Sequence, residues 1–222
     1  MLLAAGSLYA QPAGTDPFLE WMDRIAQSQL ANREKTIADI RSVADAERRA
    51  QSVRQILLES IGGLPDYHGP LNPRVTGRTQ AEGYAIEKVI FESLPGFYVT
   101  ANLYRPTQAG RHPGLLLQAG HTQQAKPEGQ RLAANLAFEG FVMLAFDPVG
   151  QGEHEQTYDP QVDRPAGGWS VPEHIQAGVQ NILIGQSVTR HFIWDATRAI
   201  DYLVSRPMAR SGRSNGGSSG GG

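Results

Sequence analysis

One stretch constrains the fold of this chain more than any other. Between Arg111 and Glu155, two short apolar runs, Gly114–Ala119 and Phe141–Phe146, bracket a segment in which Leu132, Leu136 and Phe138 recur at near-helical spacing. Gln130, Arg131 and Glu139 fall on its other faces. Each run is long enough for a buried strand and too short for a helix of its own. Gly140 stands where the helix must stop, because glycine reaches the left-handed conformation without a Cβ clash. The pattern predicts a strand–helix–strand unit joined by a right-handed crossover. Its continuously apolar strands are those of a parallel sheet covered on both faces. In open sheets of this kind chemistry sits in the crevice beyond the carboxyl ends of the strands. Here those ends are Gly120-His121-Thr122 and Asp147-Pro148-Val149-Gly150-Gln151-Gly152-Glu153, both rich in glycine and polar groups.

The remaining chain fits around that unit. Residues 1–14 resemble the remnant of a secretory signal peptide: MLLAAGSLYA has a short apolar core without a basic start. Residues 15–63 form an N-terminal helical segment. Asp16 and Pro17 suit a helix cap and first position, and the length predicts two helices with a break near Val43–Asp45. Residues 64–83 read as a linker with little periodicity. Tyr84–Phe91 and Phe97–Tyr104 alternate as strands about a turn at Ser93-Leu94-Pro95-Gly96. An irregular segment from Glu155 to about Pro172 is long for a compact domain, and such loops are functional or mobile. Helices are expected at Glu173–Ile184 and Val188–Val204, with Asp195 and Arg198 spaced to pair on the second. The sheet-forming part spans 84–210, and residues 211–222 are rich in glycine and serine.

Composition excludes several functions. With 20 Lys+Arg against 22 Asp+Glu, no basic block marks a nucleic-acid surface. No run of about 18 apolar residues marks a membrane span. The chain has no cysteine, so disulfides and thiolate chemistry are absent. His112, His121, His154, His174 and His191 show no metal-ligand spacing, and no metal or organic cofactor is expected. His154 between Glu153 and Glu155 reads as a solvated loop residue. Asp147 reads as the cap of its turn, with a catalytic role as the alternative. No Lys-Ser/Thr follows Gly150 and Gly152, which argues against a phosphate loop.

Gly217-Ser218-Ser219-Gly220-Gly221 satisfies the G-x-S-x-G pattern that exposes a serine on a strained strand-to-helix turn. Gly212–Gly216 matches it as well, so the pattern alone says little. The rest of the chain adds weight to the later match. Gly83-Tyr84, FYVTANLYRP (97–106), HPGLLLQAGH (112–121), FDPVGQGE (146–153) and WDATRAIDYL (194–203) together resemble a bacterial branch of the α/β-hydrolase superfamily, the acetyl-xylan-esterase-like and dienelactone-hydrolase-like carboxylesterases. The resemblance runs from about residue 20 to Pro207. It implies an α/β fold, a doubly wound and mostly parallel sheet, of which this chain is the N-terminal part, preceded by the helical segment.

The same resemblance implies Ser219 as nucleophile. Gly220 and His121 or Thr122 supply oxyanion-hole amides, and Trp169 lines the substrate cleft from its loop. Relatives place an apolar strand before the elbow, whereas 211–216 hold no apolar residue. The acid and histidine of the triad follow serine in this fold, so both are expected beyond Gly222 and the chain reads as a fragment. The implied activity is serine-dependent hydrolysis of a carboxylic ester, on a small molecule or an acetylated polysaccharide, in a secreted or periplasmic protein. Alternatives are a serine peptidase or dienelactone-type hydrolase of the same fold, or a catalytically inactive fragment or helical interaction module. A cytoplasmic location is the alternative to export, and the oligomeric state is left open.

Overall fold

The structure, a computed structural model, describes residues 16–210. Ser219, Gly220 and the signal-like residues 1–14 lie outside the described residues. The chain divides into two compact units, 1–55 and 56–222. In the first, α1 (Pro17–Ala38) begins as expected: the Asp16 carboxylate accepts from the Phe18 amide at 2.9 Å. The interruption falls at 39–42, slightly before the expected place. There Ser42 and Asp45 form a reciprocal cap, the Ser42 hydroxyl accepting from the Asp45 amide at 3.2 Å and donating to its carboxylate at 2.7 Å. α2 (Val43–Ser60) follows, and neither helix contains a buried residue. Among the described residues no helix is long and apolar enough to cross a membrane.

The second unit is an α/β sheet. Its strands are β1 (Arg74–Gln80), β2 (Tyr84–Leu94), β3 (Phe97–Pro106), β4 (His112–Gln118), β5 (Val142–Phe146) and, after the two-residue strands β6 (Tyr158–Asp159) and β7 (Arg164–Pro165), β8 (Ala209–Arg210). Their spatial order is β1-β2-β3-β5-β4-β8. The predicted strand–helix–strand unit is present: β4 and β5 pair in parallel with Gly114 opposite Val142, and α3 (Gln130–Phe138) crosses between them. β8 joins β4 in parallel, with His112 opposite Ala209. The rest of the sheet is antiparallel, so the mostly parallel arrangement expected from the sequence is met only from β5 to β8.

Side-chain parity explains why β5 is continuously apolar. Val142, Leu144 and Phe146 join Val89, Phe91, Val99, Ala101 and Leu103 against Ala199, Tyr202 and Leu203 of α5 (Thr189–Ser205). Met143 and Ala145 join Tyr104 against Ala133 and Ala137 of α3 on the opposite face. With a helix on each side, every position of β5 is buried. β4 departs from the expectation of two covered faces: none of its residues is fully buried and Leu115 is 39% exposed. The linker expected over 64–83 contains β1, an edge strand whose mostly exposed residues carry no apolar alternation. The hairpin turn is Pro95-Gly96, with Gly96 at φ 72° as its position after proline requires.

The expected Asp195–Arg198 pair does not form. Arg198 reaches Asp201 at 2.8 Å and the Gly69 carbonyl at 2.6 Å, tying the approach to β1 onto α5. Asp195 turns inward, has no solvent exposure, and neither of its carboxylate oxygens has a hydrogen-bond partner among the described residues. Burial pushes its carboxyl up to about 7, and the nearby Ser93 hydroxyl, too poorly placed to bond to it, does little to oppose this. Native Asp195 thus holds a proton that the unfolded chain, with a carboxyl near about 3.9, releases sooner. This contribution to stability is complete below about pH 4 and is lost as the pH rises to about 7. Asp195→Asn keeps the shape and removes the charge. It is expected to raise Tm above that of the unsubstituted protein at pH 8 by several degrees, with the gap narrowing steadily toward pH 4. Thermal unfolding across that range measures it, and a gap independent of pH would contradict a buried titrating carboxyl.

Candidate active site

The carboxyl end of the sheet is built on the turn that follows β5. Asp147 has no solvent exposure and accepts from four partners. The Thr100 hydroxyl donates at 2.6 Å, the Lys126 amide at 3.0 Å and the Glu153 amide at 3.2 Å, and the Lys126 ammonium completes the set. Lys126, itself 6% exposed, also pairs with Glu153. A Cβ at Gly152 would collide with the Asp147 carboxylate, and its φ of 60° is left-handed, so both space and backbone call for glycine there. Asp147 is therefore the organiser of its turn, the first of the two roles its position allowed. His154 closes the turn, its Nδ1 3.2 Å from the Asp147 carbonyl. It is 5% exposed rather than solvated, and burial holds its imidazole below the ordinary range.

The second loop, after β4, is held by the first. The Gln151 amide group donates to the carbonyls of Gly120 at 2.8 Å and Thr122 at 2.5 Å, and the Gly152 amide donates to Gln123. Within the loop the Thr122 amide donates to the Gly120 carbonyl at 2.9 Å. Among the described residues the His121 amide has no backbone acceptor. Of the two amides suggested by sequence, His121's is the one left available. Beside it lies a cleft of about 360 Å³ lined by Gly120, His121, Phe146, Pro148, Gln151 and His174, among others, with no Asp, Glu, Lys or Arg in its wall.

A further wall comes from α4 (Val171–Leu183). The His174 ring lies 2.8 Å from the His121 ring, nitrogen to nitrogen, and 2.6 Å from the Val149 carbonyl. Glu173, the preceding residue, is buried and accepts from the amides of Gln156 and Thr157 and from the Thr157 hydroxyl. Those bonds fasten the base of the long loop, whose tip carries the β6–β7 ribbon. Trp169, 37% exposed, donates its indole N–H to Glu155 at 3.0 Å and is not among the residues lining the cleft. In the sequence His174 is one of several scattered histidines; its position here depends on α4 folding back over the Asp147 turn, which no local pattern encodes. Among the described residues no three His, Cys, Asp or Glu side chains stand together as metal ligands.

Removing one partner of a buried ion pair strands the other, at a typical cost of about 3–5 kcal/mol. Asp147→Ala is expected to destabilise the fold by that amount in denaturant unfolding. Lys126→Met, which leaves the buried Asp147 carboxylate without its counter-charge, is expected to cost at least as much, because Lys126 in the first variant keeps its pair with Glu153. Equal and small losses for both would show that the turn does not depend on the pair.

No protein-family model and no curated protein matches the chain. Solved structures do. A Bacteroides fragilis protein assigned as an acetyl xylan esterase superposes with a TM-score of 0.63 at 18% identity, over 77% of this chain and 46% of its own. A methylesterase superposes with a TM-score of 0.53 at 21% identity, over 86% of this chain and 40% of its own. The chain thus spans less than half the length of the structures it matches. In fold, it is acetyl-xylan-esterase-like.

Proposed function

We propose that this chain carries part of a serine-dependent carboxylic ester hydrolase. Ser219 is the nucleophile, and the amides of His121 and Gly220 receive the oxyanion. The observation that carries the proposal is the His121 amide. Among the described residues it lacks a backbone acceptor, and it stands in a braced loop at the carboxyl end of β4, on the rim of an uncharged cleft. Acyl transfer needs donors already aimed at the oxygen that becomes negative, because a preorganised dipole costs nothing to reorient during reaction. Thr122, its amide engaged by Gly120, supports the loop from behind.

In this reading Ser219 Oγ attacks the ester carbonyl and a histidine takes its proton. The carbonyl oxygen becomes the oxyanion, and collapse expels the alcohol to leave an acyl-serine that water then hydrolyses. Phe146 and Pro148 give the acyl group an apolar wall suited to a short chain such as acetyl. Trp169 stands on the loop that leads into α4, where an exposed indole face can meet a sugar ring of an acetylated polysaccharide. An exported location fits that substrate. The chemistry calls for no metal or organic cofactor.

The test is hydrolysis of p-nitrophenyl acetate by the polypeptide expressed from its complete native gene. Ser219→Ala is expected to lower kcat by about 10⁴-fold or more. A rate unchanged by that substitution would remove Ser219 from the mechanism. Faster turnover of a peptide or a dienelactone than of acetyl esters would redirect the substrate class while keeping the nucleophile.

A further inference from the structure

His174 and His121 form a contact that the reaction outlined above does not use. Val149 presents a carbonyl, which can only accept, so the His174 Nε2 at 2.6 Å must carry a hydrogen. In the neutral ring, Nδ1 is then a lone-pair acceptor. It lies 2.8 Å from His121 Nε2, which must in turn carry its own hydrogen. One backbone carbonyl thus fixes the tautomers of two histidines in series. The rings lie 4.6 Å apart at 19°, and the edge of Phe192 meets His174 at 5.1 Å. A Cβ on Gly150 would press on the His174 ring, so the turn after β5 packs directly against it.

We propose that His174 is a positioning residue for the oxyanion loop: it holds the His121 ring, and with it the His121 amide, by joining the loop after β4 to the turn after β5. The proposal rests on the reading that this amide receives the oxyanion. The loop needs such a brace. It opens with Gly120, whose backbone is freer than that of any other residue, and Gln151 anchors only the carbonyls of Gly120 and Thr122. The ring contact is the one tie that reaches residue 121 itself among the described residues. The groups around His174 suit a neutral ring. Burial and His121 hold its imidazole below the ordinary range, opposed by the Val149 carbonyl and by Glu173 on its own helix. From α5 it meets the edge of Phe192. Either ring of the pair can take one extra proton and keep the bond, but two protonated rings would face each other hydrogen to hydrogen and separate.

Long-range proton–nitrogen NMR on the full chain, with histidine labelled at both ring nitrogens, reads the tautomers directly and needs no enzymatic activity. At pH 7.5 both His121 and His174 are expected with hydrogen on Nε2 and none on Nδ1. His174→Phe keeps a ring against Phe192 and removes both nitrogens. In it, His121 is expected to relax to the mixed tautomers of a free imidazole and its amide resonance to shift, while the Leu144 amide resonance in β5 stays where it is. His174→Asn, which returns an acceptor near the Nδ1 position, is expected to recover part of the His121 signature. A His121 unchanged in tautomer and amide resonance in His174→Phe overturns the proposal. If that variant does not fold, the unsubstituted protein decides: hydrogen on His121 Nδ1 alone, or none on His174 Nε2, also overturns it.

In the ester assay His174→Phe is expected to lower kcat by about 10- to 100-fold with KM nearly constant, as for a small misplacement of a catalytic group. A released His121 with unchanged kcat would overturn the positioning role. If Ser219→Ala leaves hydrolysis unchanged, the esterase reading fails by itself, and the NMR result still reports whether the brace exists.

Discussion

Asp147 sits where β5 stops being a strand. Its carboxylate is out of contact with solvent and accepts hydrogen bonds from a hydroxyl, two amides and an ammonium. Taking a carboxylate and an ammonium out of water costs several kcal/mol for each ion, recovered only when the geometry is good and the remaining lone pairs are used. Here they are used, and the four donors come from three pieces of chain. Thr100 belongs to β3, Lys126 to the loop after β4, and Glu153 to the turn itself. One charge therefore sets the mutual positions of three segments, and Gln151, carried by the same turn, extends the order to Gly120 and Thr122. The cleft is a consequence of that arrangement.

The parts of the fold that were legible in the sequence are those where burial writes a periodic pattern. β5 is apolar at every position because α5 and α3 cover its two faces, and the run Phe141–Phe146 says so directly. The β2–β3 hairpin shows as alternation about Pro95-Gly96, and the start of α1 shows as Asp16-Pro17. β1 left no such trace. An edge strand with most residues in solvent has little apolar face to display: Val75 packs against the core, and hydrogen bonding to β2 defines the rest.

The site was legible in outline only. Both loops at the carboxyl ends stood out by glycine content, and Asp147 caps its turn as expected. Residues whose role depends on a distant partner were misread. His154, between two glutamates, looks solvated in sequence but is buried under Phe97, at a ring distance of 5.0 Å. Asp195 and Arg198 have the spacing of a helical ion pair. Arg198 is instead drawn to Asp201 and to the Gly69 carbonyl, and Asp195 is turned into the core beside Ser93, which a bulge in β2 delivers there. Local spacing says which residues can meet and is silent on stronger competitors far along the chain.

Glu173 gives the long loop an unusual independence. It gathers the amides of Gln156 and Thr157, while Thr157 in turn accepts from the amides of Ala166 through its carbonyl and Gly167 through its hydroxyl. Both strands of the stalk are thus closed within a few residues of the scaffold, before the tip at 158–165 begins. A tip tethered in this way is a cassette. Its composition and length can drift under selection while the turn and helix beneath it keep their shape, so a single sheet of this kind can present many different rims to solvent without rebuilding the floor they surround.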